Sequence, residues 1–179
     1  MIRLILLVLL TLLPALNAHA QQKLNEQRLR ESIQRGDWPA AEREATEILK
    51  RSPMDRQTAL ILAMACLRQG KFDCGLDASR RAASIDTTMM HAFLMQAECQ
   101  TGLRRMNDAI ATLVDARRRF PDSVQPTWAL GMAYARAGRC DDAIDPLEET
   151  MFRRPDVIGV VQQLATCYFT LGRFPDAVE

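Results

Sequence analysis

The sequence predicts an all-α protein, an α-solenoid of about four full helix–turn–helix repeats followed by a partial fifth. Three observations predict this fold. One turn pattern recurs every 34 residues, apolar residues between the turns follow helical spacing, and small residues recur at fixed places in each repeat. Hydrophobic residues make up 48% and charged residues 25% of the 179-residue chain, which is the composition of a folded protein rather than a disordered one.

The charge balance argues against polyanionic partners. Lys and Arg number 23 and Asp and Glu number 22, so the formal charge of +1 offers no overall attraction for nucleic acid or an anionic membrane. The two histidines are too few for a His-rich metal site. We therefore expect no nucleic-acid partner, no metal and no cofactor.

Residues 1–20 have the organisation of a cleavable secretory signal. Arg3 provides a positive start, residues 4–13 are almost wholly apolar, and Ala18 and Ala20 place small side chains where a signal peptidase cleaves. The alternative is a membrane anchor, but this apolar run is far shorter than the roughly 20 residues that cross a bilayer. The sequence therefore predicts cleavage after Ala20 and an exported protein, periplasmic or secreted, without stable membrane insertion.

A turn glycine marks the middle of each repeat, where it supplies the left-handed backbone that ends the first helix. At steps of 34 residues this column contains Gly36, Gly70, Arg104, Gly138 and Gly172. Two residues later the second helix begins with side chains that can fill an apolar socket: Trp38, Phe72, Met106, Cys140 and Phe174. Pro39 and Pro175 follow within the first helical turn, where a missing N–H is harmless.

Small residues occupy two further columns, which lets the paired helices approach closely. The second helices carry Ala41, Gly75, Ala109, Ala143 and Ala177, and the first helices carry Ala63, Ala97, Gly131 and Ala165. A last column lies where each second helix ends and holds proline, which disfavours continuation of a helix, in three of four repeats: Pro53, Thr87, Pro121 and Pro155. Between the columns, apolar residues such as Leu60, Met64 and Leu67 follow helical spacing.

The columns also set the boundaries of the repeats. The repeats fall near residues 22–55, 56–89, 90–123, 124–157 and 158–179, the last of them incomplete. A second helix that stopped soon after Pro175 would leave the apolar face of the preceding repeat uncovered. We therefore expect the chain to be the N-terminal part of a longer protein. A ragged but true end at Glu179 is the alternative.

The last two repeats carry residues typical of one repeat family. They are Leu130, Gly131, Tyr134, Ala143 and Pro155 in the fourth repeat, and Leu164, Ala165, Tyr168 and Ala177 in the fifth. With these residues the sequence resembles the tetratricopeptide repeat family over about residues 22–179. It departs from the family at Trp128, one position later than the usual aromatic residue, and at Leu29, where the small residue is missing. The resemblance implies a right-handed solenoid that acts as a non-catalytic binding scaffold.

The resemblance also implies where a partner binds, because the first helix of each repeat lines the inner, concave face of the superhelix. The inner-face positions hold Gln57, Met64, Arg68, His91, Leu94, Glu98, Gln125, Trp128, Met132, Arg136 and Phe169. Thioether and indole side chains suit a groove for an apolar peptide segment, with polar neighbours that fix its direction. Several of these residues could instead pack between repeats as core. This alternative is equal for Leu94 and for Leu60, a further inner-face residue, whereas the groove is favoured for Trp128 and Met132. The Lys and Asn clamp with which some members grip a C-terminal carboxylate is absent, since its places hold Ile61, Met95, Ala129 and Gln163.

Five cysteines follow the signal segment, and export permits disulfides. Cys66 and Cys74 lie on either side of one tight turn, so a helical hairpin could bring their sulfur atoms together. Cys140 with Cys167 is a second candidate pair, because the start of one second helix lies near the end of the next first helix. Cys74 with Cys99 is a competing choice, because these two residues likewise lie near the start of a second helix and near the end of the next first helix. All five could instead be small buried apolar residues. No C-x-x-C pair occurs, so the spacing does not favour a metal site.

No catalytic motif is present. The sequence contains no glycine-rich phosphate loop, no G-x-S-x-G and no H-E-x-x-H, and no cysteine or carboxylate has a spacing that indicates a role with His91. We therefore expect a non-catalytic scaffold that binds a protein or peptide in the periplasm. One alternative is the N-terminal docking segment of a larger envelope machine for exopolysaccharide export or outer-membrane assembly. Another is a set of repeats that presents substrate to a catalytic domain absent from this sequence.

Cleavage after Ala20 would make Gln21 the first residue of the exported protein. When the full chain is expressed in a Gram-negative host, we expect intact-mass spectrometry of the periplasmic fraction to find this N-terminus. Ala20→Arg should leave the precursor uncleaved, because signal peptidase requires a small side chain there. Gln22→Arg, beyond the cleavage site, should be processed normally. An exported chain that still begins at Met1 would contradict the signal assignment.

Overall fold

The computed structural model describes residues 21–173, and within this range the chain forms nine α-helices and no β-strand. The helices are α1 (21–35), α2 (Trp38–Arg51), α3 (Arg56–Arg68), α4 (Phe72–Ile85), α5 (Met90–Gly102), α6 (Met106–Arg119), α7 (Val124–Arg136), α8 (Cys140–Arg153) and α9 (Ile158–Thr170). Odd-numbered helices are the first helices of the repeats, and even-numbered helices are the second. The signal segment at 1–20 and the residues predicted to begin the last second helix, Phe174, Pro175 and Ala177, lie outside the described residues.

A tight turn with one left-handed residue joins the two helices of each repeat. These residues have φ values between 62° and 73° and are Gly36, Gly70, Arg104, Gly138 and Gly172. In the second repeat, the N–H of Gly70 donates to the carbonyl of Leu67 at 3.0 Å, and the N–H of Lys71 donates to the carbonyl of Cys66 at 2.9 Å. These bonds satisfy carbonyls that the end of a helix would otherwise leave unpaired. The left-handed column predicted from the sequence is therefore present, including its arginine.

The small columns allow the helices to pack at short range. The alanines of the second-helix column are fully buried at Ala41, Ala109 and Ala143. A Cβ added to Gly75 would lie 2.7 Å from the Sγ of Cys99, and a Cβ added to Gly131 would lie 2.7 Å from the side chain of Leu147. Both distances are too short for a real contact, so these two helix crossings have no room for a larger residue.

The helices stack as a solenoid with an inner and an outer layer. Consecutive helices from α2 to α9 pack against each other, and first helices also contact the next first helix: α3 with α5, α5 with α7 and α7 with α9. Among helices α2 to α9, no comparable contact joins one second helix to the next. The first helices therefore lie on the tighter, inner side and the second helices on the outer side, as a curved stack of helix pairs requires.

Arginines on two second helices tie their repeats to the preceding loop. The guanidinium of Arg81 donates to the carbonyl of Pro53 at 2.6 Å, and that of Arg153 donates to the carbonyl of Asp122 at 2.6 Å. Both bonds are exposed, so they contribute modestly to stability compared with apolar burial. The apolar residues form a series of clusters along the stack rather than one central core. Each repeat is thus stabilised mainly by its immediate neighbours.

A disulfide joins Cys66 to Cys74 across the turn of the second repeat. The competing pair of Cys74 with Cys99 is wrong, because Cys99 is a free buried thiol that packs against Gly75 instead. Neighbouring residues of a helix project about 100° apart, so the face of α4 that carries Gly75 is not the face that carries Cys74. Cys140 and Cys167 are free buried thiols of one apolar cluster, so the second candidate disulfide is not formed in this structure.

Burial also determines how reactive the free thiols are. Burial, with a smaller contribution from the charge of Glu98, raises the pKa of the Cys99 thiol to about 11. Burial and the adjacent Cys140 thiol raise the pKa of Cys167 to about 11. The thiolate is the nucleophilic form of cysteine. Both side chains are therefore protonated at neutral pH and behave as small apolar residues.

Arg104 occupies a backbone conformation that costs a residue with a side chain about 1–2 kcal/mol. Glycine avoids this cost but loses about 0.5–1 kcal/mol through its greater freedom in the unfolded chain. We therefore expect Arg104→Gly to raise the free energy of unfolding by about 0.5–1 kcal/mol, measured by urea unfolding.

Two matched variants separate backbone from side-chain effects at this turn. Arg104→Ala keeps the Cβ and should give no comparable gain. Gly138→Ala adds a Cβ that meets no atom within 4 Å, so its expected loss of about 1 kcal/mol reflects backbone conformation alone. An equal gain from Arg104→Ala and Arg104→Gly would contradict the backbone explanation.

The thiols give a second prediction. In the folded, unreduced protein, we expect an alkylating reagent at neutral pH to label Cys99, Cys140 and Cys167 far more slowly than in the unfolded chain, because all three are buried. Mass spectrometry should count three labels after unfolding and five after unfolding with reduction. One label in the unreduced unfolded chain would instead show that Cys140 and Cys167 are also bonded.

Candidate functional site

A groove between α5 and α7 lies on the inner side of the solenoid. Its volume is about 310 Å³, and we call it the α5–α7 groove. Its lining residues are Leu94, Ala97, Glu98 and Thr101 of α5, Leu113 of α6, and Gln125, Trp128, Ala129, Met132, Ala133 and Arg136 of α7. It therefore brings together six of the eleven inner-face residues named from the sequence: Leu94, Glu98, Gln125, Trp128, Met132 and Arg136.

Helical spacing explains why one face of α7 supplies a whole wall of the groove. Gln125, Trp128, Met132 and Arg136 follow each other at intervals of three or four residues, so they project from the same side of the helix. Trp128 is 40% exposed, although a tryptophan is highly buried on average. Its position one residue beyond the usual aromatic place thus directs a large apolar side chain into the groove instead of into the core.

Small residues and one leucine form the floor. Ala97 and Ala133 are buried at 2% and 5% exposure, and Leu113 lies below them at 4%. None of these three residues is among the inner-face positions predicted from the sequence. Ala97 belongs to the small column, which by itself indicates helix packing, and Leu113 belongs to a second helix, whereas the resemblance assigns the inner face to first helices. The small column thus makes room for a ligand as well as for a helix.

Two opposite charges lie at the edge of this apolar surface. Glu98 on α5 and Arg136 on α7 are both exposed groove residues. Within residues 21–173, neither side chain has an ion-pair or side-chain hydrogen-bond partner. Their charges are therefore available to polar groups of a ligand that lies along the groove.

The other five inner-face residues lie outside the lining of this groove. Gln57, Arg68 and His91 are exposed and Met64 is half-buried. Arg68 extends over the ring of Trp38, with 5.6 Å between its guanidinium carbon and the ring centre, so it stacks at the turn of the first repeat. Phe169 on α9 is 68% exposed. None of these side chains is buried, so the inner face continues beyond the groove on both sides.

A second depression is larger but has a different character. It measures about 510 Å³ beside α1 and α2. Its lining is polar and charged: Gln21, Asn25, Arg28, Glu42, Arg43, Glu44, Thr46, Glu47 and Arg51. Because it offers no large apolar side chain to bury, it is less suited than the α5–α7 groove to hold an apolar segment of a partner.

One group of side chains in the described part of the chain has the composition of a metal site. Ligand atoms of Glu42, Cys66 and Cys74 lie within 4.8 Å of one another, with the two sulfur atoms joined in the disulfide. Glu42 also accepts hydrogen bonds from Lys71 and Gln69, and these interactions, the Lys71 bond foremost, lower the pKa of its carboxyl group. Glu42 is thus ionised at neutral pH.

Among helices of residues 21–173, none combines the length and the apolar character needed to cross a membrane.

Comparison with known proteins gives a family and a fold. The family model described as tetratricopeptide repeat matches residues 29–87 and 94–156, more than half of the chain. No curated protein matches the sequence. A crystal structure of MamA protein is 22% identical, with a TM-score of 0.79 over 88% of this chain and 86% of that chain.

Two further solved structures are similar over a comparable span. MamA 41-end from Desulfovibrio magneticus RS-1 is 15% identical, with a TM-score of 0.79 over 87% of this chain and 88% of that chain. A thermophilic TPR protein of Thermus thermophilus, TTC0263, is 23% identical, with a TM-score of 0.67 over 86% of each chain. At these identities the likeness establishes the solenoid fold and nothing finer. With the family match across both halves of the described helices, the chain belongs to the tetratricopeptide repeat family.

Proposed function

We propose that this protein is a non-catalytic scaffold of the periplasm, and that the α5–α7 groove binds an apolar segment of a protein or peptide partner. The observation that carries the proposal is the partly exposed wall of Trp128, Met132 and Leu94 above a floor of small side chains. The periplasmic location rests on the predicted signal at residues 1–20.

Apolar burial would supply most of the affinity. Trp128 is 40% exposed, and Met132 and Leu94 are half-buried, so a partner side chain that enters the groove removes apolar surface on both molecules from water. Burying one large apolar side chain is worth about 1.5–3 kcal/mol. Indole and thioether groups suit this task, because tryptophan offers a large rigid surface and methionine adapts to the shape of its ligand.

The rim charges would set the direction of the bound segment. Glu98 and Arg136 lie on different helices at the edges of the groove and lack partners within residues 21–173. A partner that carries a basic group near Glu98 and an acidic group near Arg136 therefore binds in one orientation, whereas the reversed segment meets like charges. We infer that preferred ligands combine an apolar anchor with flanking charges of opposite sign.

The groove assignment predicts a specific pattern of affinity losses. Peptides selected from a random display library for binding to the wild-type protein should bind the Trp128→Ala, Met132→Ala double variant about 30-fold or more weakly, because central aromatic anchors dominate binding energy. Arg136→Glu should weaken peptides that carry an acidic group near the anchor. Fluorescence anisotropy measures the dissociation constants, and circular dichroism checks that the variants stay folded.

Phe152 provides a matched control. It is 89% exposed, lies at the end of second helix α8 and is absent from the groove lining. Phe152→Ala removes a comparable exposed aromatic side chain and should leave peptide affinity unchanged. Unchanged binding to the folded Trp128→Ala, Met132→Ala variant would refute the groove assignment, and so would a loss confined to Phe152→Ala.

A further inference from the structure

We propose that Glu42, Cys66 and Cys74 form a binding site for Zn²⁺ when the Cys66–Cys74 disulfide is reduced. One carboxylate oxygen and the two sulfur atoms lie within 4.8 Å of one another. Two thiolates and a carboxylate are ligands that zinc accepts in its four-coordinate sites. The site is separate from the α5–α7 groove and does not depend on the function proposed for it.

Three helices of two repeats supply the ligands. Glu42 lies in α2 of the first repeat, Cys66 lies near the end of α3, and Cys74 lies in the first turn of α4. The turn between α3 and α4 is held by its own backbone bonds, including the bond from the N–H of Lys71 to the carbonyl of Cys66. These bonds do not involve the sulfur atoms, so the hairpin retains its shape when the disulfide opens.

The distances suit zinc after side-chain rotation alone. Zinc–sulfur bonds of about 2.3 Å in a tetrahedral site place two sulfur ligands about 3.8 Å apart. The Cα atoms of Cys66 and Cys74 are 5.8 Å apart, a separation from which two cysteine side chains can either bond to each other or hold one ion between them. Cys66 is fully buried, whereas Cys74 and Glu42 are half-buried, which leaves a path for the ion and a fourth position for water.

Polar neighbours already orient the carboxylate. The amide nitrogen of Gln69 donates to Oε2 of Glu42 at 2.7 Å and can remain as an outer partner, as metal-bound carboxylates require. Lys71 Nζ lies 2.6 Å from the same oxygen, and the lysine side chain is 50% exposed. The ammonium group can therefore turn towards solvent when the ion binds. Two thiolates, one carboxylate, one Zn²⁺ and the nearby lysine together carry no net charge.

The chemistry requires a reductant and releases protons. A dithiol reductant transfers two electrons to the disulfide, which yields the two cysteine thiols and oxidises the reductant to its own disulfide. Zn²⁺ then displaces one proton from each thiol. The first turn of α4 favours negative charge on the Cys74 sulfur, because it lies at the positive end of the helix dipole. In reducing surroundings the ion thus replaces the covalent link between α3 and α4 and adds a link to α2.

Cobalt binding to the reduced protein tests the site directly. The purified protein is reduced with a phosphine, transferred without air to buffer free of reductant, and titrated with Co²⁺. We expect a thiolate-to-cobalt charge-transfer band that saturates at one ion per chain and disappears when Zn²⁺ is added. The unreduced protein should give no band. In the reduced state, Glu42→Gln should bind Co²⁺ at least about tenfold more weakly.

Two control variants make the result specific. Glu44→Gln removes a carboxylate from the same helix outside the cluster, and Cys140→Ser with Cys167→Ser removes the other buried thiol pair; neither should change the titration. The proposal fails if reduced wild type gives no band, if the Cys140, Cys167 variant loses it, or if Glu42→Gln binds as tightly as wild type. It also fails if far-ultraviolet circular dichroism shows that the reduced protein has lost its helices and Zn²⁺ does not restore them.

Discussion

The reversal of the chain at a left-handed residue every 34 residues is the constraint on which the rest of the structure depends. At Gly70, the hydrogen bonds from the turn satisfy the last carbonyls of α3, so the helix ends without a long loop and α4 returns beside it. The same reversal at Arg104, with φ of 62°, shows that the turn demands a conformation even where glycine is missing. Because every pair reverses in the same way, the pairs present equivalent faces and stack.

Close packing and the open groove have the same origin in side-chain size. At Gly131 the crossing with Leu147 leaves no room for a Cβ, so α7 and α8 approach closely. On the other side of α7, small residues such as Ala133 leave space that no neighbouring helix fills, and Trp128 and Met132 border that space. A larger residue at Ala133 would fill the floor of the groove. Small side chains therefore permit close helix packing at Gly131 and set the depth of the candidate binding surface at Ala133.

The cysteines differ in chemistry because they differ in location. Cys66 and Cys74 lie across one hairpin, where helix geometry brings two sulfur atoms together beside the carboxylate of Glu42. Cys99 is buried against Gly75 and Cys167 lies inside an apolar cluster, and burial keeps both thiols protonated at neutral pH. One residue type thus provides a cross-link and candidate ligands at one turn, and small packing units elsewhere. Cys66 is as fully buried as Cys99 and Cys167, so the difference lies in its neighbours, the bonded sulfur of Cys74 and the carboxylate of Glu42.

The sequence by itself determined the helical class, the 34-residue repeat and the turn positions, because these properties depend on local periodicity, whereas the inner-face positions came from the resemblance to the repeat family. Tertiary structure alone decided which inner-face residues converge. Trp128 and Leu94 meet in one groove whereas Gln57 and Phe169 do not, and Leu113 joins that groove from a second helix. It also decided that Cys74 pairs with Cys66 and not Cys99, and that Glu42 lies beside them. Spacing along a helix defines the direction of a side chain, whereas distances between helices depend on how the volumes of all the packed side chains fit together.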